Sequence, residues 1–403
     1  MRIILEEACE SIADGDHQAP PKSDEGIPFI TISCLDPDGG RPGYSAATKV
    51  PVAYYESLSD NRRAKCGDVL LSVVGSLGIP YLVKEDDRFV FQRHIAILRP
   101  GRHLVPEYLY YLLRSPALFH YIDSIAQGAA QRTLTLTQLR SMEIELPPLE
   151  TQRCIASILM AYDNLIANNR KQIALLEEAA QRLYKEWFID LRFPGHEDVE
   201  DVDGQPQGWE MVPISEYADI VKGCSYKSEN IDVAEGVPMV NLSSIAAWGG
   251  YKPYTERTYG GVYKSEQVLK ANDVVMALTE QTAGLAGYVA RIPHYAEGAV
   301  PSMDLACLRP KNGCTAYLYG ACRYGNVSRS LSPLANGTKI KHLKPEALGY
   351  TKLLVPPVEL QGEFDCVCNP LFRDIDALME MNGSLQAARD RLLPKLMSGE
   401  IEV

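Results

Sequence analysis

The chain's 403 residues are too many for one ordinary hydrophobic core, so two or more domains are expected. With 46% hydrophobic and 23% charged residues, the composition excludes a largely disordered chain. The formal charge of -12 argues against nucleic acid as a partner, but residues 309–352 hold eight Lys or Arg and one acidic residue, so the acidic total can hide a basic surface.

The sequence has no recognisable targeting segment, and the spacing of its cysteines does not indicate a metal site. No apolar run approaches the length of a membrane span, and the N-terminal residues turn acidic too early for a secretory signal, so we expect a cytoplasmic protein without membrane contact. The ten cysteines include no C-x-x-C, and no histidine lies near the closest pair, Cys366 and Cys368. We therefore expect free thiols and no metal site.

The first part of the chain reads as a mixed α and β region. Short apolar runs at Phe29–Ser33, Val69–Val74 and Phe89–Leu98 predict strands, because Gly, Pro and Asp turns separate them. A helix is predicted at Pro106–Arg114 and a last strand at Met142–Leu146. A Pro-Pro pair ends that strand, since proline cannot donate a ladder hydrogen bond.

A long helical segment follows, and a second one ends the chain. Each carries a stripe of residues in alternating steps of four and three, which is the a/d pattern of a left-handed coiled coil. The first stripe is Ile155, Leu159, Tyr162, Ile166, Asn169, Ile173, Leu176, Ala180, Leu183 and Trp187, and the second is Phe364, Cys368, Leu371, Ile375, Leu378, Asn382, Leu385, Arg389, Leu392 and Leu396. Each stripe contains one Asn, a residue that fixes register in coiled coils.

Two helices of about 40 residues would each span roughly 60 Å. We expect them to pack on each other as a rod with a globular domain toward each end. The alternative is a pair of amphipathic helices, each packed on its own domain. Asn369 and Pro370 fit the N-cap and first position of a helix, so the second helix is expected to start or kink there.

The chain repeats itself with a period too long for a solenoid and suited to duplicated domains. Gly26–Ile30 recurs as Gly236–Val240, an offset of 236 − 26 = 210, and Leu146–Gln152 recurs as Val355–Gln361, an offset of 355 − 146 = 209. Shorter echoes pair Gly67–Leu71 with Asn272–Met276, Ile97–Pro100 with Cys307–Pro310, and Gly128 with Gly337.

Marks of DNA-modifying chemistry are missing. Asn369–Phe372 superficially resembles the N-P-P-[YF] loop of amino-methyltransferases, but its third residue is Leu and no glycine-rich cofactor loop precedes it. No Gly-Lys pair is available for a phosphate-binding loop. No lysine has an acidic residue two positions before it, as nucleases of the P-D…(D/E)-x-K type require. We predict no catalytic residues, and a self-contained methyltransferase is disfavoured.

The paired Pro-Pro-Leu/Val-Glu-x-Gln motifs, each followed by a long helix, resemble the repeated regions of type I restriction-modification specificity subunits. Segments that resemble domain openings or the usual ending of that family are Ile12–Pro21, Gly26–Ile30, Pro206–Glu210, Lys222–Ser228 and Leu393–Ile401. The resemblance covers essentially the whole chain. One departure is that the first repeat has no counterpart of Pro206–Glu210.

The resemblance implies an α+β fold with two α/β target recognition domains in pseudo-two-fold repeat, separated by two long antiparallel coiled-coil helices. The corresponding division is a first recognition domain at 1–147, a central spacer helix at 148–190, a second recognition domain at 191–355 and a C-terminal spacer helix at 356–403. In this arrangement the helices set the unread gap between two half-sites.

The resemblance also implies a non-catalytic role. The chain would bind a bipartite site on double-stranded DNA and carry two methyltransferase subunits and the restriction/translocase subunits. It would hold no cofactor itself; S-adenosylmethionine, ATP and Mg²⁺ would belong to the partner subunits, which methylate adenine N6 and cleave DNA. The alternative from another class is a coiled-coil scaffold protein that binds proteins and has no sequence-specific DNA recognition.

Candidate DNA contacts are polar residues in loops of both repeats. Lysines would mainly hold phosphates, whereas Gln, Arg and His could read base edges. The candidates in the first repeat are His17, Gln18, Lys22, Arg93, His94, Gln131 and Arg132, and those in the second are Lys222, Tyr226, Lys227, Lys339, Lys341, His342 and Lys344. Apolar residues outside the stripe, namely Ile158, Leu165, Leu175 and Phe188, are expected either to receive methyltransferase subunits or to pack on the adjacent domains.

Overall fold

The computed structural model describes residues 1–15, 19–36, 42–44, 47–128, 131–202, 205–280, 283–337, 340–344 and 346–403. The chain divides into two compact units. Unit 1 comprises residues 1–167 and 384–403, and unit 2 comprises residues 168–383. Each unit therefore contains one globular repeat and a part of both long helices.

Unit 1 is built on a four-stranded antiparallel sheet. The described elements from the N-terminus are β1 (Arg2–Ile4), α1 (Leu5–Ala8), β2 (Cys9–Asp14), β3 (Ile27–Ile30), β4 (Thr48–Val50), α2 (Val52–Ser57), β5 (Val69–Ser72), β6 (Pro80–Leu82), β7 (Val90–Phe91), β8 (Ile95–Pro100), α3 (Pro106–Arg114), α4 (Pro116–Ile125), α5 (Leu136–Arg140), β9 (Glu143–Glu145) and the long α6 (Leu149–Tyr184). The main sheet has the order β2-β8-β5-β6; β4-β3-β7 and β1-β9 form smaller sheets.

Both faces of the main sheet are covered, which explains why its strands are continuous apolar runs. In β5, Val69 and Leu71 belong to the core that includes the helices, whereas Leu70 belongs to the core on the opposite face. The helix predicted at Pro106–Arg114 has those bounds. The run Phe89–Leu98 is divided between β7 and β8. These strands belong to different sheets, and the residues between them form the connection.

Unit 2 repeats this architecture. Its described elements are β10 (Asp201–Val202), β11 (Gln205–Pro206), β12 (Glu210–Pro213), α7 (Ile214–Tyr217), β13 (Ala218–Lys222), β14 (Val237–Val240), β15 (Arg257–Tyr259), β16 (Val274–Ala277), β17 (Thr279–Glu280), β18 (Val289–Arg291), β19 (Val300–Pro301), β20 (Leu305–Pro310), α8 (Thr315–Arg323), α9 (Val327–Leu331), β21 (Lys341–His342), α10 (Glu346–Tyr350), β22 (Lys352–Val355) and α11 (Val358–Ser398), whose last turns lie in unit 1.

Strand order and register show that the sequence repeat is a repeat of the fold. The sheets β13-β20-β16-β18, β15-β14-β19 and β12-β22 correspond one to one with those of unit 1. Arg2 lies opposite Glu145 in unit 1, and Met211 lies opposite Leu354 in unit 2. The offsets are 211 − 2 = 209 and 354 − 145 = 209, so this two-stranded sheet is duplicated without a register shift.

Two of the repeated sequence motifs form the same buried ion pair in each unit. Arg99 contacts Asp68 at 2.9 Å in unit 1, and Arg309 contacts Asp273 at 2.6 Å in unit 2. The two aspartates are 2% and 5% exposed. The hydrogen bonds from Arg99 to Asp68 raise the pKa of the Arg99 guanidinium. Removing one partner would leave an uncompensated buried charge, which explains why both halves of the pair recur together.

The glutamine that ends each Pro-Pro motif ties the start of a long helix to its globular repeat. Gln152 is 1% exposed, accepts from the Val105 backbone N–H at 2.9 Å and donates to the His103 carbonyl at 3.0 Å. Gln361 is also 1% exposed and accepts from the Tyr217 hydroxyl at 2.6 Å. Each amide satisfies polar groups that would otherwise be buried without a partner.

None of the twenty stripe residues is exposed. Within unit 2 the two helices run antiparallel, because Asn169 bonds to Asn382 at 3.0 Å while the rings of Trp187 and Phe364 lie 5.8 Å apart. Within unit 1, Asp163 of α6 pairs with Arg389 of α11. A π-helical turn at Lys185–Ile189 extends α6 and carries Trp187 into the core of unit 2.

Of the two alternatives expected at Asn369 and Pro370, a helix start is wrong. The helix α11 is continuous from Val358 to Ser398, and this pair lies inside it. Proline removes one helical hydrogen bond. The flanking turns bury Cys368 and Phe372 in the core of unit 2, which outweighs that loss.

Candidate nucleic-acid interface

In unit 1, three backbone segments meet at the end of β5 and form the first loop cluster, defined as residues 73–75, 92–94 and 131–133. The N–H of Val73 donates to the His94 carbonyl at 2.9 Å, and the N–H of Gly75 donates to the Arg132 carbonyl at 2.9 Å. These bonds bring together Arg93, His94, Gln131 and Arg132, which are far apart in the sequence.

The four side chains differ in how they are held. Arg93 and Gln131 are exposed, and the Nε of Arg93 lies 3.5 Å from the Nε2 of His94. Arg132 pairs with Asp123 at 2.8 Å and remains 41% exposed. An arginine already engaged by a carboxylate is better suited to position its loop than to bind a phosphate strongly.

Unit 2 has an equivalent second loop cluster, defined as residues 278–280, 302–304 and 340–342. The N–H of Leu278 donates to the Asp304 carbonyl at 2.7 Å, and β17 pairs with β21 so that Thr279 lies opposite His342. The offset 342 − 133 = 209 places His342 where unit 1 has Thr133, which forms an isolated bridge with Val74. The same corner of the fold is thus built twice with different side chains.

A chain of hydrogen bonds orients the histidine of the second loop cluster. The Thr279 hydroxyl donates to the Asp304 carboxylate at 2.7 Å and lies 3.2 Å from the Nδ1 of His342. Because the hydroxyl gives its single proton to Asp304, it accepts from the Nδ1–H of His342, and Nε2 takes no part in this contact. Beside it, Lys341 is 53% exposed and lies 3.9 Å from Glu280.

The loop that follows the first strand of each main sheet runs beside the same corner. The Gly223 N–H donates to the Leu305 carbonyl at 3.0 Å, which places the exposed Lys222 next to the second loop cluster. In unit 1 the Gly15 N–H makes the same bond to the Ile95 carbonyl at 3.2 Å. His17 and Gln18, which follow it in sequence, lie outside the described residues, as does Lys339.

The remaining candidates are not joined to the clusters by the contacts of the described residues. Lys22 and Lys344 are exposed, and Lys227 is 82% exposed and 3.8 Å from Glu229. Tyr226 is half-buried against the small core that includes Met239. Its ring therefore supports the fold of unit 2.

Sequence reasoning did not single out Met303 and Asp304, which belong to the second loop cluster. Met303 is 52% exposed, and Asp304 holds Thr279. The offset 303 − 93 = 210 aligns Met303 with Arg93, so extending the repeat through this loop could have identified both residues.

Two other kinds of feature are missing from the described part of the chain. No group of three or more His, Cys, Asp or Glu residues there could hold a metal ion. No helix in the described ranges is long and apolar enough to cross a bilayer.

The description of one protein family fits both repeats. The family model of the type I restriction modification DNA specificity domain matches residues 16–178 and again residues 206–364. The chain belongs to this family. Each match contains one loop cluster, one Pro-Pro motif and the start of one long helix, so the family's domain is present twice.

Individual members of the specificity family resemble the chain over most of its length. It is 26% identical over 357 residues to the type I restriction enzyme MjaIX specificity subunit of Methanocaldococcus jannaschii, covering 84% of this chain and 78% of that protein. It is 26% identical over 425 residues to the putative MjaX specificity subunit of the same organism, covering 99% and 93%. The crystal structure of the type I S subunit from M. genitalium has the same fold, with a TM-score of 0.60, 16% identity and coverage of 98% of this chain and 95% of that one.

Proposed function

We propose that the chain is the sequence-reading subunit of a type I restriction-modification complex and that each repeat reads one half of a bipartite site on double-stranded DNA. The observation that carries this proposal is the pair of equivalent loop clusters. They occupy the same corner of the same fold but differ at equivalent positions, since Arg93 and Thr133 of unit 1 correspond to Met303 and His342 of unit 2. Different side chains at one corner suit two different half-sites.

Within each loop cluster we assign different tasks to different side chains. Lys341 binds a backbone phosphate, because its contact with Glu280 is long and such a partly exposed ion pair contributes little stability. Arg93 and Gln131 are exposed and can form two-pronged hydrogen bonds to guanine and adenine edges. The Nε2 of His342 faces the DNA, since its Nδ1 is held by Thr279. Lys222 adds positive charge to this corner.

The chain makes and breaks no covalent bonds in this proposal. Two methyltransferase subunits supply S-adenosylmethionine, and restriction/translocase subunits supply ATP and Mg²⁺ in the cytoplasm. The curated relatives support this assignment, since they are named specificity subunits of type I restriction enzymes.

Two exposed leucines of α6 form apolar surface for methyltransferase docking. They are Leu165 and Leu175, which are 42% and 54% exposed. Phe188, in contrast, packs in the core of unit 2.

The deciding experiment compares one variant in each loop cluster. The complex is reconstituted with Arg93→Gln or with Lys341→Gln/His342→Gln, and methylated adenines are mapped on a library of random DNA sequences. We expect the first variant to change base preference in one half-site and the second variant to change it only in the other. The phosphate assignment predicts a shallower salt dependence for Lys341→Gln, by about 0.9 in the slope of log affinity against log salt.

Lys352→Gln is the matched control, because Lys352 is an exposed lysine of β22 outside both clusters. It should leave base preference and salt slope unchanged. If neither cluster variant alters methylated sequence, DNA affinity or salt slope, the chain does not read DNA through these corners. The scaffold alternative would then account for the loops better.

A further inference from the structure

An open apolar groove of about 680 Å³ lies in unit 1, and none of its lining residues belongs to the first loop cluster. It runs between the junction of α3 and α4, strand β9 and the last turns of α11. Leu112, Leu118, Ile144, Pro394 and Met397 supply its apolar surface. Leu112, Leu118 and Met397 are only partly covered by the rest of unit 1.

The duplication identifies the same place in unit 2. The offsets 324 − 115 = 209 and 397 − 188 = 209 align Ser115 with Tyr324 and Met397 with Phe188. Phe188 is 7% exposed in the core of unit 2, and Tyr324 packs against that core. Unit 1 therefore has the small hydroxyl of Ser115 and the flexible thioether of Met397 at positions where unit 2 has aromatic rings.

A chain segment adds further rings in unit 2. Residues 191–209 follow α6 and bury Phe193 and Trp209, which are 5% and 8% exposed. The ring of Trp209 lies 5.9 Å from that of Phe188 and 5.5 Å from that of Phe193. No aromatic residue is among those that line the groove of unit 1. One surface is thus covered by aromatic side chains in unit 2 and open in unit 1.

The rim of the open groove is acidic. Glu143, Glu145 and Glu400 line it and are 67%, 77% and 62% exposed. Arg2 lies 3.4 Å from Glu145, and Lys395 lies 2.9 Å from Glu400, so three carboxylates face two cations. In unit 2 the offset of 209 puts Lys352 and Leu354 in place of Glu143 and Glu145. A segment that binds in the groove of unit 1 therefore needs basic residues. The segment that covers the equivalent surface of unit 2 does not need them.

We propose that this groove binds an extended segment of a partner protein, which inserts a Phe or Trp side chain and carries Lys or Arg beside it. The ring fills the space that aromatic residues fill in unit 2, and the basic residues meet the acidic rim. Aromatic anchors in apolar pockets bounded by charged groups dominate binding at protein interfaces. This site shares no residue with the loop clusters and goes beyond DNA reading.

The test uses the full 403-residue chain. The probe is a fluorescein-labelled peptide with the sequence of residues 189–195 of this chain and the change Asp190→Lys, which puts Phe193 among basic residues. Fluorescence polarisation should show saturable binding, at least tenfold weakened when the peptide carries Phe193→Ala. In the chain, Ala117→Arg should weaken binding at least tenfold, because Ala117 is an exposed lining residue. Val262→Arg, at a 93% exposed valine of unit 2 outside both loop clusters, should leave it unchanged.

Several outcomes would overturn the proposal. One is no saturable binding at roughly millimolar peptide, and another is binding that Ala117→Arg leaves intact. Circular dichroism checks that this variant is folded, and Ser398→Arg, on another wall, replaces it if it is not. A dimer of the chain that Ala117→Arg dissociates would make a second copy the occupant. DNA binding should be unaltered in these variants, so failure here is separable from failure of the DNA-reading proposal.

Discussion

Asn169 and Asn382, the single asparagines of the two stripes, donate and accept one hydrogen bond between Nδ2 and Oδ1 at 3.0 Å. They are 2% and 8% exposed and lie in unit 2 between apolar neighbours on both helices. A shift by one heptad would place Asn169 opposite Ile375 or Arg389, and would break the hydrogen bond between the two amides. The pair therefore selects one antiparallel register over its alternatives.

Changing one asparagine should cost more than changing both. Asn382→Leu leaves the Asn169 amide buried without its partner, so we expect unit 2 to lose about 1–3 kcal/mol of unfolding free energy. Asn169→Leu/Asn382→Leu should lose less than the sum of the single changes or gain stability. Urea unfolding of the four chains measures this, with Met381→Leu as an exposed neighbouring control. Strictly additive losses would mean that the amides act independently.

A second polar contact joins the helices within unit 1. Arg389 is 4% exposed and donates to Asp163, whose other carboxylate oxygen accepts from the Tyr111 hydroxyl at 2.6 Å. Arg389→Met should destabilise unit 1 by about 1–3 kcal/mol, because it leaves the half-buried Asp163 carboxylate without its cation. Thermal unfolding is the measurement, and Arg391→Met, at an exposed site of the same helix, should shift the transition little. Similar shifts for both variants would contradict a structural role for the pair.

Buried and exposed cysteines should differ in their reactivity toward a disulfide reagent. Burial raises the pKa of Cys322 and Cys368 to about 12, whereas Cys66, Cys154 and Cys366 are exposed. At pH 8 a disulfide reagent such as DTNB should modify the exposed thiols in the native protein and the buried ones only after denaturation. Mass spectrometry of the labelled peptides identifies them. Native labelling of Cys322 would contradict its burial.

The buried thiols of Cys322 and Cys368 also determine how the free energy of unfolding changes at alkaline pH. Their pKa is higher in the folded chain than in the unfolded chain, where it is about 8.5. Above that pH the unfolded state loses protons that the folded state keeps, so stability falls as pH rises from about 8.5 toward 12. Cys322→Ala/Cys368→Ala should flatten the fall of the urea midpoint over this range. The exposed pair Cys154→Ala/Cys366→Ala should leave the slope as it is.

Part of this architecture was predictable from sequence because the sequence contains an internal duplication. The repeat offsets near 210 identified two like domains, and the glutamines of the Pro-Pro motifs marked where each helix starts. The bounds of α3 followed from a proline at its first turn and a regular apolar pattern. Such features depend on local residue order, which the sequence contains directly.

Other features depend on contacts between distant residues. Pro370 stays within α11 because Cys368 and Phe372 pack into a core assembled by the whole unit. Arg132 stays a candidate DNA contact, and its pairing with Asp123 was not predicted from the sequence. The turn that separates β7 from β8 is held by a backbone bond between Val73 and His94, which apolar patterning cannot show.

Helix length should determine the gap between half-sites, if the proposed DNA reading is correct. Adding one heptad to each helix, near Asn169 and near Asn382, keeps both stripes and lengthens each helix by about 10.5 Å. The bases read should stay the same, while the gap grows by up to about three base pairs. Methylation mapping measures this, and four-residue insertions, which break the stripe, should prevent assembly instead. An active complex with an unchanged gap would show that the helices do not set the spacing.

The division of the chain has a consequence for its synthesis on the ribosome. Unit 2 is one continuous stretch, residues 168–383, so its native contacts are all available once that stretch has emerged. Unit 1 needs Leu393 and Leu396, which are buried in the same core as Leu5 and Leu98. Its first 167 residues must therefore wait, with part of their apolar surface uncovered, until the chain has grown past unit 2. Although domains usually fold from the N-terminus onward during translation, here the order of completion is reversed, and the first repeat is the one exposed to aggregation and chaperones for longer.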